Sequence, residues 1–209
     1  MVTGPGFFNQ YAEGFGVKLI ASNAQGKAGW NDTTWLMVRK DVWDSGKLKT
    51  FADIKGMTVE GGPKGSPVWL TATQAMAQGG LSMKDVTFVE RLRAVSDALP
   101  IFRNKGADIL GSVEPIVGRL EAEGLAVRWQ PSYKVMPWFQ ESYLAANPKF
   151  LTEKREVTKR FLKAYMKASQ EITAGGGKWT PDTLAAVVKW SKFPKEVIEK
   201  IPGPQHVGQ

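Results

Sequence analysis

Along the middle of the chain, apolar residues recur in two alternating rhythms. Met57-Thr58-Val59-Glu60, Val86-Thr87-Phe88-Val89, Ala107 to Ser112 and Leu125 to Trp129 are short β-branched or apolar runs that predict strands. The stretches between them are helical. Trp69, Ala72, Thr73 and Met76 fall at i, i+3, i+4 and i+7, one inward stripe. Ser66 is a good N-cap, Pro67 suits the first helical position, and Gly79 is expected to end the helix in the left-handed conformation. A second helix is expected from Ser96-Asp97 to Gly106, and a third from Pro115 to Gly124 with Ile116 and Leu120 inward. Residues 57–129 therefore read βαβαβαβ, the pattern of a mainly parallel sheet with helices on both faces. Right-handed crossovers would bring the C-terminal ends of its strands to one edge.

The flanks follow other patterns. A glycine turn, a short helix from Phe7 to Glu13, a strand over Val17 to Ala21 and a strand over Thr33 to Lys40 precede the alternation. After Pro131, Val135 to Ala145 is extended and aromatic. Thr152 is expected to cap a long helix whose core stripe is Val157, Phe161, Tyr165, Ala168 and Ile172. Thr180-Pro181-Asp182 starts another helix, and Pro194 a last short one.

Charge and composition narrow the chemistry. The net charge of +8 is concentrated in 147–200, where 12 Lys/Arg face 6 Asp/Glu, including Lys154, Arg155, Lys159, Arg160, Lys163 and Lys167. With neither a DNA-binding motif nor interleaved aromatics, this is a solvated helix surface, and no nucleic-acid partner is expected. There is no Cys, and His206 is the single His, so thiolate nucleophiles, a His-based triad and His/Cys metal sites are not expected. No nucleophile–base pair stands out: no catalytic residue, metal or cofactor is assigned.

The candidate binding residues cluster at turns. Gly61 to Pro67 (GGPKGSP) follows a strand and enters a helix, which is either a tight capped βα turn or an anion cradle of backbone N–H groups with the Ser66 hydroxyl. Its Lys64-Gly65-Ser66 order is wrong for a nucleotide P-loop. Glu114, after the third strand of the alternation, could meet a ligand, pair across lobes or favour a helix start. Gly4-Pro5-Gly6 opens a short helix. Trp30, Trp35, Trp69 and Trp138 could stack on a planar ligand or be core. Pro137, in the extended aromatic segment, completes the candidate set.

Five segments in order resemble one family. They are Thr50 to Val59 (TFADIKGMTV), Gly62 to Pro67, Gly79 to Val86 (GGLSMKDV), Ala94 to Leu99 with Asp97, and Gly106-Ala107-Asp108-Ile109 followed by Glu114-Pro115. Together they resemble the nitrate/sulfonate/taurine and NMT1/THI5-like solute-binding proteins of ABC transporters. The resemblance implies an α/β, two-lobe, type II periplasmic-binding-protein-like fold. Its divisions would be 1–42 (lobe one, partial), 43–131 (lobe two) and 132–209 (return to lobe one and C-terminal helices). It implies a cleft lined by Gly65, Ser66, Pro67 and Glu114 from the second lobe and Gly4, Pro5 and Gly6 from the first, with Trp35, Trp69 and Pro137 as further wall candidates.

The same resemblance implies capture of a small anionic or heterocyclic solute, an inner-membrane permease as partner, a monomer, and a periplasmic or extracellular lipid-anchored location. Met1 to Ala21 aligns with the middle of lobe one, so a truncated chain lacking its secretion signal is expected. Two other functions on this shape are an effector-sensing regulatory domain and a thiamine-pyrimidine synthase. The latter needs a reactive His and a Cys-rich loop, which the sequence does not offer.

Overall fold

The computed structural model describes residues 2–14, 16–137 and 139–203. Its strands are β1 (Val2–Thr3), β2 (Lys18–Gln25), β3 (Thr34–Arg39), β4 (Thr58–Glu60), β5 (Thr87–Val89), β6 (Ile109–Val113), β7 (Ala126–Pro131) and β8 (Gln140–Ala146). Its α-helices are α1 (Gly4–Ala12), α2 (Lys40–Asp44), α3 (Pro67–Gln78), α4 (Ala98–Arg103), α5 (Ile116–Ala122), α6 (Ser132–Val135), α7 (Pro148–Glu153), α8 (Arg155–Ala174), α9 (Pro181–Ser191) and α10 (Lys195–Lys200).

The strands form two sheets, one of three strands in the order β1-β8-β2 and one of five in the order β5-β4-β6-β3-β7. In the larger sheet β4 runs parallel to both β5 and β6, as the alternation predicts. It is nevertheless mixed, because β3 is inserted antiparallel between β6 and β7. The strand expected over Thr33 to Lys40 thus lies in the larger sheet, so a division after residue 42 falls beyond one of that sheet's strands. The physical reason is in its sequence. Leu36 and Val38 are buried in the cluster under α3, and Met37 in the cluster under α4 and α5. A strand apolar on both faces is stable only inside a sheet covered on both sides.

Helix α3 begins as its residues dictate: Ser66 Oγ accepts from the Trp69 N–H at 3.2 Å, and Pro67 occupies the first turn. Its buried stripe is Val68, Thr71, Ala72, Ala75 and Met76, about one position from the expected one, with Trp69 and Thr73 half-buried. Gly79 sits at φ −79°, and the left-handed residue is Gly80 at +72°. Three motif aspartates act as local clamps. Asp53 accepts from the Lys49 and Thr50 N–H groups, Asp85 from Ser82, and Asp97 from Arg93 and Ala94. Backbone N–H donation holds all three carboxyls below the usual carboxylate range.

The C-terminal third departs from expectation in two places. Asn147, not Thr152, caps the helical stretch; Thr152 lies inside α7, where its hydroxyl donates to the Lys149 carbonyl. In α8 the stripe expected to be core is largely outside: Val157 is 43% and Phe161 52% exposed, Ala168 is exposed, and Tyr165 and Ile172 are half-buried. A 20-residue helix is about 30 Å long, and periodicity marks its apolar face without naming what covers it. The Tyr165 hydroxyl fixes the helix to β2 by donating to the Ser22 carbonyl at 2.8 Å.

Candidate functional site

Strand direction places the loops. β4 and β6 are adjacent and parallel, so the loop 61–66 and the segment Val113-Glu114 leave the larger sheet at one edge. β3 starts at that edge, with Thr34 opposite Val113 and the Glu114 N–H donating to the Thr33 carbonyl at 2.8 Å. β7 ends there, with Pro131 opposite Trp35. From this edge the chain crosses to the smaller sheet twice, along residues 26–33 and again between β7 and β8. On the smaller sheet Thr3 pairs with Ser142, so β1 leads into Gly4 beside the Glu141 end of β8. Turns of the two sheets that lie far apart in sequence are thereby directed to one zone.

The Gly61 to Pro67 corner is shaped by two left-handed residues, Gly62 at φ +64° and Gly65 at +79°, conformations that a side chain would strain. Helix α3 then packs against β6 at Gly111, where a Cβ would lie 3.0 Å from Val68 Cβ. The Gly65-Ser66-Pro67 corner and the Ser112 to Glu114 end of β6 thus leave the larger sheet at the same edge. The Ser112 hydroxyl is buried and has no hydrogen-bond partner among the described residues. Trp69 is half-buried, and its Nε1–H donates to Glu90 at 2.9 Å. Glu60 was not singled out from sequence. It is 1% exposed and accepts from the Gly62, Arg91 and Leu92 N–H groups, pinning the corner to the next loop. A lone acid closing an apolar strand was its sequence signal.

Glu114 has both oxygens engaged within the larger sheet's own layer: Oε1 by Arg128 on β7 at 2.8 Å, Oε2 by the Gly118 N–H in α5 at 3.0 Å. Burial raises its carboxyl above the ordinary range, and Arg128 and Gly118 pull it partly back. The same guanidinium lies 5.4 Å over the Trp35 ring, whose Nε1–H donates to the Asp32 carbonyl. Trp35 packs against the cluster under α4 and α5. Pro137 is exposed on the second crossing. Gly4, Pro5 and Gly6 form the first turn of α1, three residues earlier than the helix expected from Phe7. Trp138 and His206 lie outside the described residues. Among the described residues no group of three or more His, Cys, Asp or Glu could hold a metal ion, and no helix is long and apolar enough to cross a membrane.

A mixed five-stranded sheet, a smaller antiparallel sheet, and two crossings at a shared edge define a fold that matches periplasmic-binding-protein-like structures. A family model described as NMT1/THI5 like matches residues 3–175, and the chain belongs to that family. No curated protein matches it. Among solved structures it is similar to the alkanesulfonate-binding protein SsuA of Xanthomonas axonopodis pv. citri bound to MOPS. That match has 18% identity and a TM-score of 0.72, and covers 96% of this chain and 64% of that one. It is also similar to the ligand-binding component of an ABC-type import system from Staphylococcus aureus with zinc bound, at 12% identity and TM-score 0.75, over 97% and 66% of the two chains. A third is the periplasmic nitrate-binding protein NrtA of Synechocystis PCC 6803, at 15% identity and TM-score 0.66, over 87% and 47%. The chain thus spans 64% and 66% of the length of the first two structures.

Proposed function

We propose that this protein is the extracytoplasmic solute-binding component of an ABC importer. The solute is a small anionic or heterocyclic molecule of the sulfonate, nitrate, aromatic carboxylate or thiamine pyrimidine-precursor class, held between the two sheets. The observation that carries this reading is the shared edge, where the Gly65-Ser66-Pro67 corner and the turn into Gly4-Pro5-Gly6 are directed from opposite sheets to one zone. Helix starts present N–H groups with partial positive charge, which suits a negative or strongly dipolar solute. Ser66 and the Ser112 hydroxyl add directional contacts, with Trp35, Trp69 and Pro137 as wall residues and Glu114, held by Arg128 and the Gly118 N–H, as a fixed group at the rim. The resemblance to proteins described as binding alkanesulfonate and nitrate supports the same class of solute.

No bond-making step is part of this function. A sequence with no Cys and a single His offers little for acyl or thiol chemistry. The partner that consumes the closed form is an inner-membrane permease. The protein acts as a periplasmic or lipid-anchored monomer. Calorimetric titration against alkanesulfonates, nitrate, benzoate-type carboxylates and aminopyrimidines tests the reading. It predicts one saturable site for one class, weakened in Ser66→Ala and Ser112→Ala, with the solute recovered unchanged. Conversion of a solute, or binding unaffected by both variants, overturns it.

A further inference from the structure

Both crossings between the sheets meet at one buried group of oxygens. Ser132 Oγ, at the start of α6, lies 3.0 and 2.9 Å from the Asp32 carboxylate oxygens and 2.8 Å from Glu141 Oε1 on β8. The Thr34 hydroxyl on β3 donates to Glu141 Oε2 at 2.8 Å. Asp32 also accepts the Thr34 N–H at 2.9 Å and the Tyr133 N–H at 3.0 Å, one on each oxygen. Glu141 is 5% exposed, and Ser132 and Thr34 are fully buried.

Counting hydrogens decides the arrangement. A serine hydroxyl carries one proton, yet Ser132 Oγ is within hydrogen-bond distance of two carboxyl groups. If it donates to one, its contact with the other is oxygen against oxygen unless that carboxyl supplies a proton. Asp32 is already the acceptor of two backbone donors, so the proton belongs on Glu141. We propose that Glu141 is held as the neutral acid, donating to Ser132, which donates to Asp32, and that this proton is a latch joining the two crossings. When the proton leaves, two carboxylates flank a single hydroxyl and the crossings are pushed apart.

The groups facing Glu141 are Asp32 and the Thr33 hydroxyl from the first crossing, Thr34 from β3 and Ser132 from α6. Of these groups the charged one is Asp32. Of the nearby cations, Lys27 lies over the Trp30 ring at 4.4 Å and Arg128 pairs with Glu114. Burial and the Asp32 charge push the Glu141 carboxyl up to about 7. The latch would therefore open across neutral pH. Room for an alternative contact is small, since a Cβ on Gly26 of the first crossing would lie 2.8 Å from Ser132 Oγ.

The test needs no solute, so it stands apart from the transport reading. Carbon-13 NMR of the whole protein, with the Glu141 carboxyl assigned through bonds, follows its titration while amide exchange follows the two crossings. The expected midpoint is about 7 instead of the ordinary 4.5, with intrinsically corrected exchange in both crossings rising through the same midpoint. In Glu141→Gln the exchange becomes independent of pH over that range. In Asp32→Asn the Glu141 midpoint falls, because the facing charge is gone. A Glu141 midpoint in the ordinary carboxylate range in the wild-type protein overturns the proposal. So does an unchanged pH dependence of exchange in Glu141→Gln.

Discussion

Single residues here are informative where a polar group is buried, because burial forces it to find a partner. Glu114 illustrates this. From sequence it could equally serve a ligand, a lobe contact or a helix start; its carboxylate holds Arg128 and the first turn of α5. Removing the guanidinium leaves a buried carboxylate without its ion partner, a change that typically costs about 3 kcal/mol. Arg128→Met is therefore expected to lower the urea midpoint markedly. Since burial raises the Glu114 carboxyl, and loss of Arg128 raises it further, protonation relieves the variant's defect. The deficit measured by urea unfolding should be larger at mildly alkaline than at mildly acid pH. A deficit that grows on acidification contradicts this assignment.

At the scale of elements, local chemistry was legible and long-range pairing was not. The Ser66-Pro67 start of α3 and the Thr180-Pro181 start of α9 are set by residues adjacent in sequence, and both were predicted. The insertion of β3 into the larger sheet depends on partners about 70 to 100 residues away, which a local pattern does not encode. The Asp32–Ser132–Glu141 group was invisible for the same reason: Asp32 is 100 residues from Ser132 and 109 from Glu141. The motif aspartates were read as marks of resemblance and turn out to be clamps on 3-10 turns and loops. Their carboxyls are depressed in the folded state, so what they contribute is present above the unfolded carboxylate range and lost as pH falls through the folded values. The triple variant Asp53→Asn, Asp85→Asn, Asp97→Asn should show a shallower acid limb of stability against pH than wild type. An unchanged limb would remove the clamps from the account.

The stripe on α8 gives a second element-scale test. Periodicity correctly found a helix but not what covers it, because amphipathicity reports a face and not its partner. Phe161 is half-exposed whereas Phe102 on α4 is 2% exposed. Phe161→Ser is expected within roughly 0.5 kcal/mol of wild type, while Phe102→Ala should cost about 3–5 kcal/mol. Chemical denaturation of the two variants separates them. Equal losses would mean that α8 is a core helix after all.

For the molecule as a whole, the account rests on a directed edge: strand polarity in the larger sheet and the exit of β1 in the smaller one bring distant turns together. A bundle of parallel strand ends is the usual location of ligands in open α/β sheets. The basic surplus in 147–200 includes residues on exposed helices, and the groove between α9 and α10 is walled by Trp179, Leu184 and Val188. The most direct measurement is amide hydrogen exchange with and without the solute that binds in titration. The account predicts new protection at 61–69, at 112–118 and in the first turn of α1, together with the two crossings. Protection confined to α9 and α10, with those segments unchanged, would contradict it.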